Sequence, residues 1–93
     1  MTLVAVRTGQ RLRLTQAATL IGRGADCAVR LTSSRVSKHH CRVVVQGDAV
    51  WVEDLGSSNG THVNGRPVDS GALRDGDILG IAGHEFRVVL DAG

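Results

Sequence analysis

Residues 54–65 read Asp-Leu-Gly-Ser-Ser-Asn-Gly-Thr-His-Val-Asn-Gly, from Asp54 to Gly65. The stretch holds two Asn-Gly pairs, Asn59-Gly60 and Asn64-Gly65, and such pairs favour tight turns at strand ends because both residue types tolerate positive φ. Its first half is longer and more polar than a hairpin turn needs, and it offers hydroxyls, an amide and flexible backbone at one place. Loops on a rigid scaffold are where binding residues concentrate. The stretch therefore predicts a β-fold that carries a ligand-binding loop.

Short apolar or alternating segments separated by turn residues run along the rest of the chain. We predict strands at residues 2–7, 11–14, 17–23, 27–31, 40–45, 49–53, 61–63, 66–68, 78–82 and 84–90. Pro67 places its strand at a sheet edge, because proline has no N–H to donate to a neighbouring strand. No window holds a long amphipathic helix. Many short strands with frequent turn signals are typical of a β-sandwich or barrel, and we expect an all-β sandwich.

Composition limits the classes of function that the chain can have. Its 93 residues suit a single domain, and the formal net charge of +2 is too balanced for a general nucleic-acid binder. The sequence has no recognisable signal peptide or membrane-spanning run, and Cys27 and Cys41 do not make a disulfide framework. We expect a cytoplasmic domain without nucleic-acid or membrane partners, either a whole protein or a domain excised from a larger one.

Three polar clusters interrupt the strand pattern, and they are Gly22-Arg23, Ser37-Lys38-His39-His40 and Ser57-Ser58-Asn59-Gly60. In order and spacing they resemble the signature of the forkhead-associated (FHA) domain, which has Gly-Arg, Ser-x-x-His and Asp-Leu-x-Ser-x-Asn-Gly-Thr with a trailing Asn-Gly. Further matches run to the closing strand, so the core motifs span residues 20–89 of one domain at 1–93. The resemblance implies a two-sheet β-sandwich of about eleven short strands with little or no helix.

The resemblance also implies a function. FHA domains bind phosphothreonine in partner proteins, which suggests a role in Ser/Thr-kinase-dependent signalling or complex assembly. The expected partner is a phosphothreonine-containing protein or peptide, such as a Ser/Thr kinase or its substrate. No enzyme activity and no cofactor are expected. The alternative is a protein-interaction module of the same fold that does not depend on phosphate.

Site residues carry over from the FHA motifs to the matching positions of this chain. A phosphate group carries nearly two negative charges and three acceptor oxygens at neutral pH, so it needs converging cations and donors. The expected phosphate-binding residues are Arg23 with its bidentate fork, Ser37 with its hydroxyl and N–H, Lys38 and Ser58. Asn59 has both a donor and an acceptor for the peptide backbone, and Asn64 is a candidate for a secondary contact. Gly22, His40, Asp54 and Gly60 are expected to support the site.

Two other kinds of site are weighed and set aside. His39 and His40 point to opposite faces of an extended segment, and the chain has no Cys-x-x-Cys or His-x-x-x-His spacing, so we expect no metal site. A catalytic triad would use Ser37, His40 and Asp54, but the sequence lacks the Gly-x-Ser-x-Gly turn that presents a serine nucleophile. His39 and His62 depart from the family pattern, which more often has arginine and a bulky aromatic residue there.

Overall fold

Eleven β-strands form the scaffold in the computed structural model, which describes residues 1–90, and no helix occurs among these residues. The strands are β1 (Thr2–Ala5), β2 (Arg11–Arg13), β3 (Ala18–Gly22), β4 (Val29–Arg30), β5 (Cys41–Gln46), β6 (Ala49–Asp54), β7 (Thr61–Val63), β8 (Arg66–Val68), β9 (Ser70–Ala72), β10 (Ile78–Ile81) and β11 (His84–Val89). The described residues contain no helix that is long and apolar enough to cross a membrane.

The strands form two sheets that enclose one core. The six-stranded sheet has the order β2-β1-β11-β10-β7-β8, and the five-stranded sheet has the order β4-β3-β5-β6-β9. All pairings are antiparallel except the pairing of β3 with β4, where Ile21 lies opposite Val29. β8 is an edge strand, as Pro67 predicts. The predicted all-β sandwich is therefore confirmed.

Strict alternation of side chains builds the core. In β5 the side chains of Cys41 and Val43 are buried while Arg42 between them is exposed, and β11 repeats the pattern around Phe86 and Val88. Successive residues of a strand face opposite sides of the sheet, so every second residue reaches the space between the sheets. The core is almost entirely aliphatic, with Phe86 as its aromatic member.

The largest differences from the sequence-based prediction concern β9 and β4. β9 was not predicted, because Ser70-Gly71-Ala72 has no large apolar residue, yet it pairs with β6 at the sheet edge. Gly71 packs beside the neighbouring hairpin, where a Cβ would make an ordinary contact at 3.4 Å from Val68 Cγ1. β4 was predicted at residues 27–31 but is limited to Val29–Arg30. Residues 27 and 28, which we expected to begin this strand, belong to the preceding loop.

The register of three neighbouring strands sets the position of the polar clusters. Cys41 at the start of β5 lies opposite Ile21, near the end of β3, and also opposite Asp54 at the end of β6. The chain therefore leaves β3, enters β5 and leaves β6 at the same end of the sandwich. The loops β3–β4, β4–β5 and β6–β7 meet there.

We expect Leu79→Ala to lower the free energy of unfolding by about 2–5 kcal/mol, because it leaves a cavity between the sheets. Leu79 is fully buried between the register partners Val63 and Phe86. Leu55→Ala is the matched control, since Leu55 is 39% exposed and its truncation should change stability by less than about 1 kcal/mol. Denaturant titration of both variants measures the difference. Equal losses would contradict this description of the core.

Candidate functional site

Gly22 and the residues after it join the end of β3 to the β4–β5 loop. The Arg23 N–H donates to the Ser37 carbonyl and the Gly24 N–H to the Lys38 carbonyl, each at 2.9 Å. A Cβ on Gly22 would lie 2.9 Å from the Lys38 carbonyl carbon and 3.0 Å from Cys27 Sγ. Any side chain at position 22 would therefore push the loop away from the strand, which explains why glycine is needed there.

The Arg23 side chain is oriented by a hydrogen bond to the backbone. Its Nε donates to the Val36 carbonyl at 3.0 Å, and Arg30 Nε donates to the Arg23 carbonyl, also at 3.0 Å. Within residues 1–90 neither terminal nitrogen of Arg23 has a hydrogen-bond or ion-pair partner. The guanidinium is thus held through Nε while its outer edge remains free for an anion.

His40 connects two of the three loops from inside the protein. Its side chain is fully buried, its Nδ1 accepts the Ser37 N–H at 3.1 Å, and its Nε2 lies 2.8 Å from the Gly60 carbonyl oxygen. Because Nδ1 accepts a hydrogen bond, the ring proton is assigned to Nε2, which donates to Gly60. The neutral imidazole with its proton on Nε2 therefore satisfies both contacts at once.

The serine residues make a direct contact between the same two loops. The Ser58 N–H donates to Ser37 Oγ at 3.0 Å. Because Ser37 Oγ accepts this bond, its own hydrogen remains free to donate, and the Ser58 hydroxyl has no partner among residues 1–90. The Ser37 N–H, which we expected to face phosphate, is directed at His40 instead.

Asn59 adds a further link across the cleft. Its Nδ2 donates to the Arg35 carbonyl at 2.6 Å. One N–H of the amide and Oδ1 have no partner in the described part of the chain. The side chain is thereby fixed in direction and still offers one donor and one acceptor, which is what pairing with an extended peptide backbone requires.

Asp54 organises the start of the β6–β7 loop. Its carboxylate accepts hydrogen bonds from the N–H groups of Gly56 and Ser57 and from the hydroxyls of Ser57 and Thr61. Desolvation raises the pKa of Asp54, but these four hydrogen bonds together outweigh it and hold the pKa below its ordinary value. The loop is folded around a carboxylate that remains ionised at neutral pH.

The three loops line a solvent-open pocket of about 230 Å³. It is lined by Arg23, Ser34, Arg35, Val36, Ser37, Lys38, Ser58 and Asn59. The structure therefore brings together all five residues that we expected to contact the ligand directly. Arg35 also lines the pocket. It was not among the expected contact residues because it lies just outside the Ser-x-x-His motif.

Asn64 lies elsewhere. Its Nδ2 donates to Asp77 Oδ1 at 3.1 Å, and its Oδ1 accepts the Ile78 N–H at 2.9 Å. Asn64 has a φ of 51°, as a tight turn requires, and it does not line the pocket that contains Arg23. A secondary contact between Asn64 and a bound peptide remains a prediction.

His62 and a larger groove lie outside the pocket. His62 is half-buried and packs against two glycines. A Cβ added to Gly60 would lie 3.4 Å from the His62 ring, and a Cβ added to Gly80 would lie 3.4 Å from the His62 Cβ. The larger groove lies between β4 and the β1–β2 turn, with Leu12 and Phe86 in its lining, and none of the expected contact residues reaches it.

We expect Asp54→Asn to lower the free energy of unfolding at pH 7 by about 1 kcal/mol or more, because hydrogen bonds to a charged acceptor are lost. The folded-state pKa of Asp54 lies below its ordinary value. Its contribution is therefore complete well above the unfolded pKa of about 3.9 and is lost as the pH falls through the folded pKa.

Denaturant titrations at several pH values measure this difference. Asp48→Asn in the β5–β6 turn is the matched control, because Asp48 makes no hydrogen bond among residues 1–90. A gap between Asp54→Asn and wild type that stayed constant down to pH 2 would contradict the assignment.

The chain is similar to known proteins over nearly its whole length. The family model described as FHA domain matches residues 19–82. The transcriptional regulatory protein EmbR of Mycobacterium tuberculosis H37Rv is 40% identical over 89 residues, which cover 95% of this chain and 23% of EmbR. The chain thus spans about a quarter of the length of this relative.

Two solved structures share the fold over nearly the whole chain. One is M. tuberculosis EmbR in complex with a low-affinity phosphopeptide, with 39% identity and a TM-score of 0.94 over 99% of this chain and 24% of that one. The other comes from work on phosphothreonine-dependent FHA domain interactions, with 34% identity and a TM-score of 0.91 over 98% and 96% of the two chains. The resemblance seen in the sequence is confirmed, and the chain belongs to the FHA domain family.

Proposed function

We propose that this chain is a phosphothreonine-binding module that recognises a phosphorylated segment of a partner protein. One observation carries the proposal: cationic and hydroxyl side chains converge on a pocket that has no acidic residue in its lining. A phosphate dianion needs opposite charge and several donors at short range. The pocket offers both, in a cleft between loops that are already held in place.

Each group has a distinct task in this proposal. The free edge of the Arg23 guanidinium binds two phosphate oxygens in a planar, charge-assisted pair of hydrogen bonds. Lys38 adds a positive charge, and its side chain has no hydrogen bond or ion pair within residues 1–90. The hydroxyls of Ser37 and Ser58 donate to the remaining oxygens. Together these groups neutralise the dianion and satisfy its acceptors.

The peptide around the phosphate is held by backbone contacts. Asn59 offers one N–H and one oxygen to the main chain of the ligand, which gives affinity without selecting particular side chains. Arg35 lines the same pocket, and this exposed residue adds positive charge to it. The threonine methyl group is worth about 1 kcal/mol when buried, so a several-fold preference over phosphoserine is expected.

The wider role follows from the same chemistry. A phosphothreonine reader acts after a Ser/Thr kinase, so the partners are a kinase or its phosphorylated substrate. EmbR, which shares this fold, has been solved in complex with a low-affinity phosphopeptide, and this supports a phosphopeptide as the ligand. Because the chain spans about a quarter of EmbR, we propose that it works as one module of a larger protein. Both cysteines are buried free thiols, which suits a reducing cytoplasmic setting.

We also propose that the module has no enzymatic activity. Within residues 1–90, no hydrogen bond joins Ser37 Oγ to His40 or His40 to Asp54. The imidazole instead contacts a backbone N–H and a backbone carbonyl, and it is fully buried. It therefore cannot take a proton from a serine nucleophile in this arrangement, as a catalytic triad requires.

The test is binding of a degenerate phosphothreonine peptide library to wild type and to Arg23→Ala. We expect Arg23→Ala to weaken binding by about 30- to 150-fold, because a charge-assisted bidentate contact of about 2–3 kcal/mol is lost. Arg23→Lys should restore only part of the loss, because lysine offers a point charge and no fork. Fluorescence anisotropy measures the affinities.

Arg11→Ala is the matched control, since Arg11 is an exposed arginine on β2, outside the pocket, and its loss should leave binding unchanged. A folded Arg23→Ala variant that bound normally would overturn the role of Arg23. Equal binding of the library before and after phosphatase treatment would instead favour the phosphate-independent interaction module.

A further inference from the structure

A second polar cluster lies where the β3–β4 and β4–β5 loops meet, outside the lining of the pocket. His39 Nε2 lies 2.8 Å from Asp26 Oδ2, and Cys27 Sγ is close to both. One ligand atom from each of the three residues falls within 4.8 Å of the other two. From the sequence we expected no metal site, because its Cys and His residues lack the usual ligand spacing and Asp26 and His39 are thirteen residues apart in different loops.

The three side chains form a recognisable donor set. Thiolate sulfur, imidazole nitrogen and carboxylate oxygen are the usual protein ligands of Zn²⁺, at about 2.3, 2.0 and 2.0–2.2 Å. Ligand atoms around a tetrahedral ion at these distances lie about 3.2–3.7 Å apart. The observed atoms lie within 4.8 Å of one another, so small rotations would bring them into range.

The two ligands that would have to rotate, Asp26 and His39, are the exposed ones. Asp26 and His39 are exposed, with side chains 60% and 46% accessible, and both can turn without disturbing the core. Cys27 is buried, and its thiol donates a hydrogen bond to the Lys38 carbonyl oxygen at 3.2 Å. Because Cys27 is buried, its sulfur has little room to move, and the two exposed ligands close around an ion from the solvent side.

We propose that Asp26, Cys27 and His39 form a zinc site that joins the β3–β4 loop to the β4–β5 loop, with water as the fourth ligand. Binding replaces the hydrogen bond between Asp26 and His39 with two metal bonds. The thiol of Cys27 gives up its hydrogen bond to the Lys38 carbonyl oxygen and releases its proton to solvent as the Zn–S bond forms. The hydrogen of His39 resides on Nδ1 so that Nε2 can coordinate. Three protein ligands with water in the fourth position are the arrangement of zinc sites that keep one position open.

The location gives such an ion a structural consequence. Arg23 lies three residues before Asp26, and Lys38 lies directly before His39. A bound ion would hold together the two loops that carry these cations. Without the ion, the side chains of Asp26 and His39 are joined only by an exposed hydrogen bond, which solvent weakens. The proposed site is separate from the phosphate pocket, whose lining contains none of its three ligands.

Titration of the purified chain with Zn²⁺ and with Co²⁺ tests the proposal, using a phosphine reductant and no peptide. We expect one ion per chain, a thiolate-to-cobalt absorption band in the near ultraviolet, and a melting temperature that rises with free Zn²⁺ concentration. Cys27→Ser and His39→Ala should each weaken binding by at least tenfold, because replacing even an outer partner of a metal ligand costs about 10–100-fold.

The chain offers its own controls in Cys41 and His84. Cys41 is the other buried thiol, and His84 is a half-buried histidine on β11. Cys41→Ala and His84→Ala should keep the stoichiometry and the absorption band. No band in wild type, or unchanged affinity in Cys27→Ser and His39→Ala, would overturn the proposal. Neither result bears on phosphopeptide binding, because no peptide is present in the titration.

Discussion

The buried imidazole of His40 is the interaction on which the binding end of this protein depends. It accepts the Ser37 N–H through Nδ1 and donates to the Gly60 carbonyl through Nε2, and it has no exposure to solvent. Either contact, if lost, would leave a buried polar group unsatisfied at a cost of about 1–3 kcal/mol. One side chain therefore fixes the distance between the two loops whose hydroxyls face the pocket.

The sandwich determines where that side chain sits. His40 immediately precedes β5, whose first residue pairs with the end of β3 on one side and the end of β6 on the other. Asp54 then folds the β6–β7 loop back over the same end through four hydrogen bonds. The pocket is thus assembled by short-range contacts between strand ends before any ligand arrives. Preorganisation of this kind favours affinity, because binding does not have to order the loops.

Most of the scaffold could be predicted from the sequence, because alternation of apolar and polar residues is a local signal. β5, β6 and β11 show it clearly, and Pro67 indicated an edge strand. β9 could not be predicted this way, since Ser70–Ala72 is a strand only through its pairing with β6.

Sequence motifs predicted which side chains line the pocket, but not how the loops contact one another. Arg23, Ser37, Lys38, Ser58 and Asn59 line one pocket. The direction of the Ser37 N–H, the position of Arg35 and the approach of Asp26 to His39 depend on how three separate loops fold against each other. Distances across loops of this kind are set by tertiary contacts, and no local pattern encodes them.

The protonation pattern of the His40 ring tests the central claim most directly. Long-range ¹H–¹⁵N correlation NMR distinguishes the two neutral tautomers of histidine. We expect a single neutral form with the proton on Nε2, unchanged between the free protein and the protein saturated with a phosphothreonine peptide. A ring protonated on Nδ1, or one that changes tautomer on binding, would contradict a site whose two loops are joined through His40 before the ligand arrives.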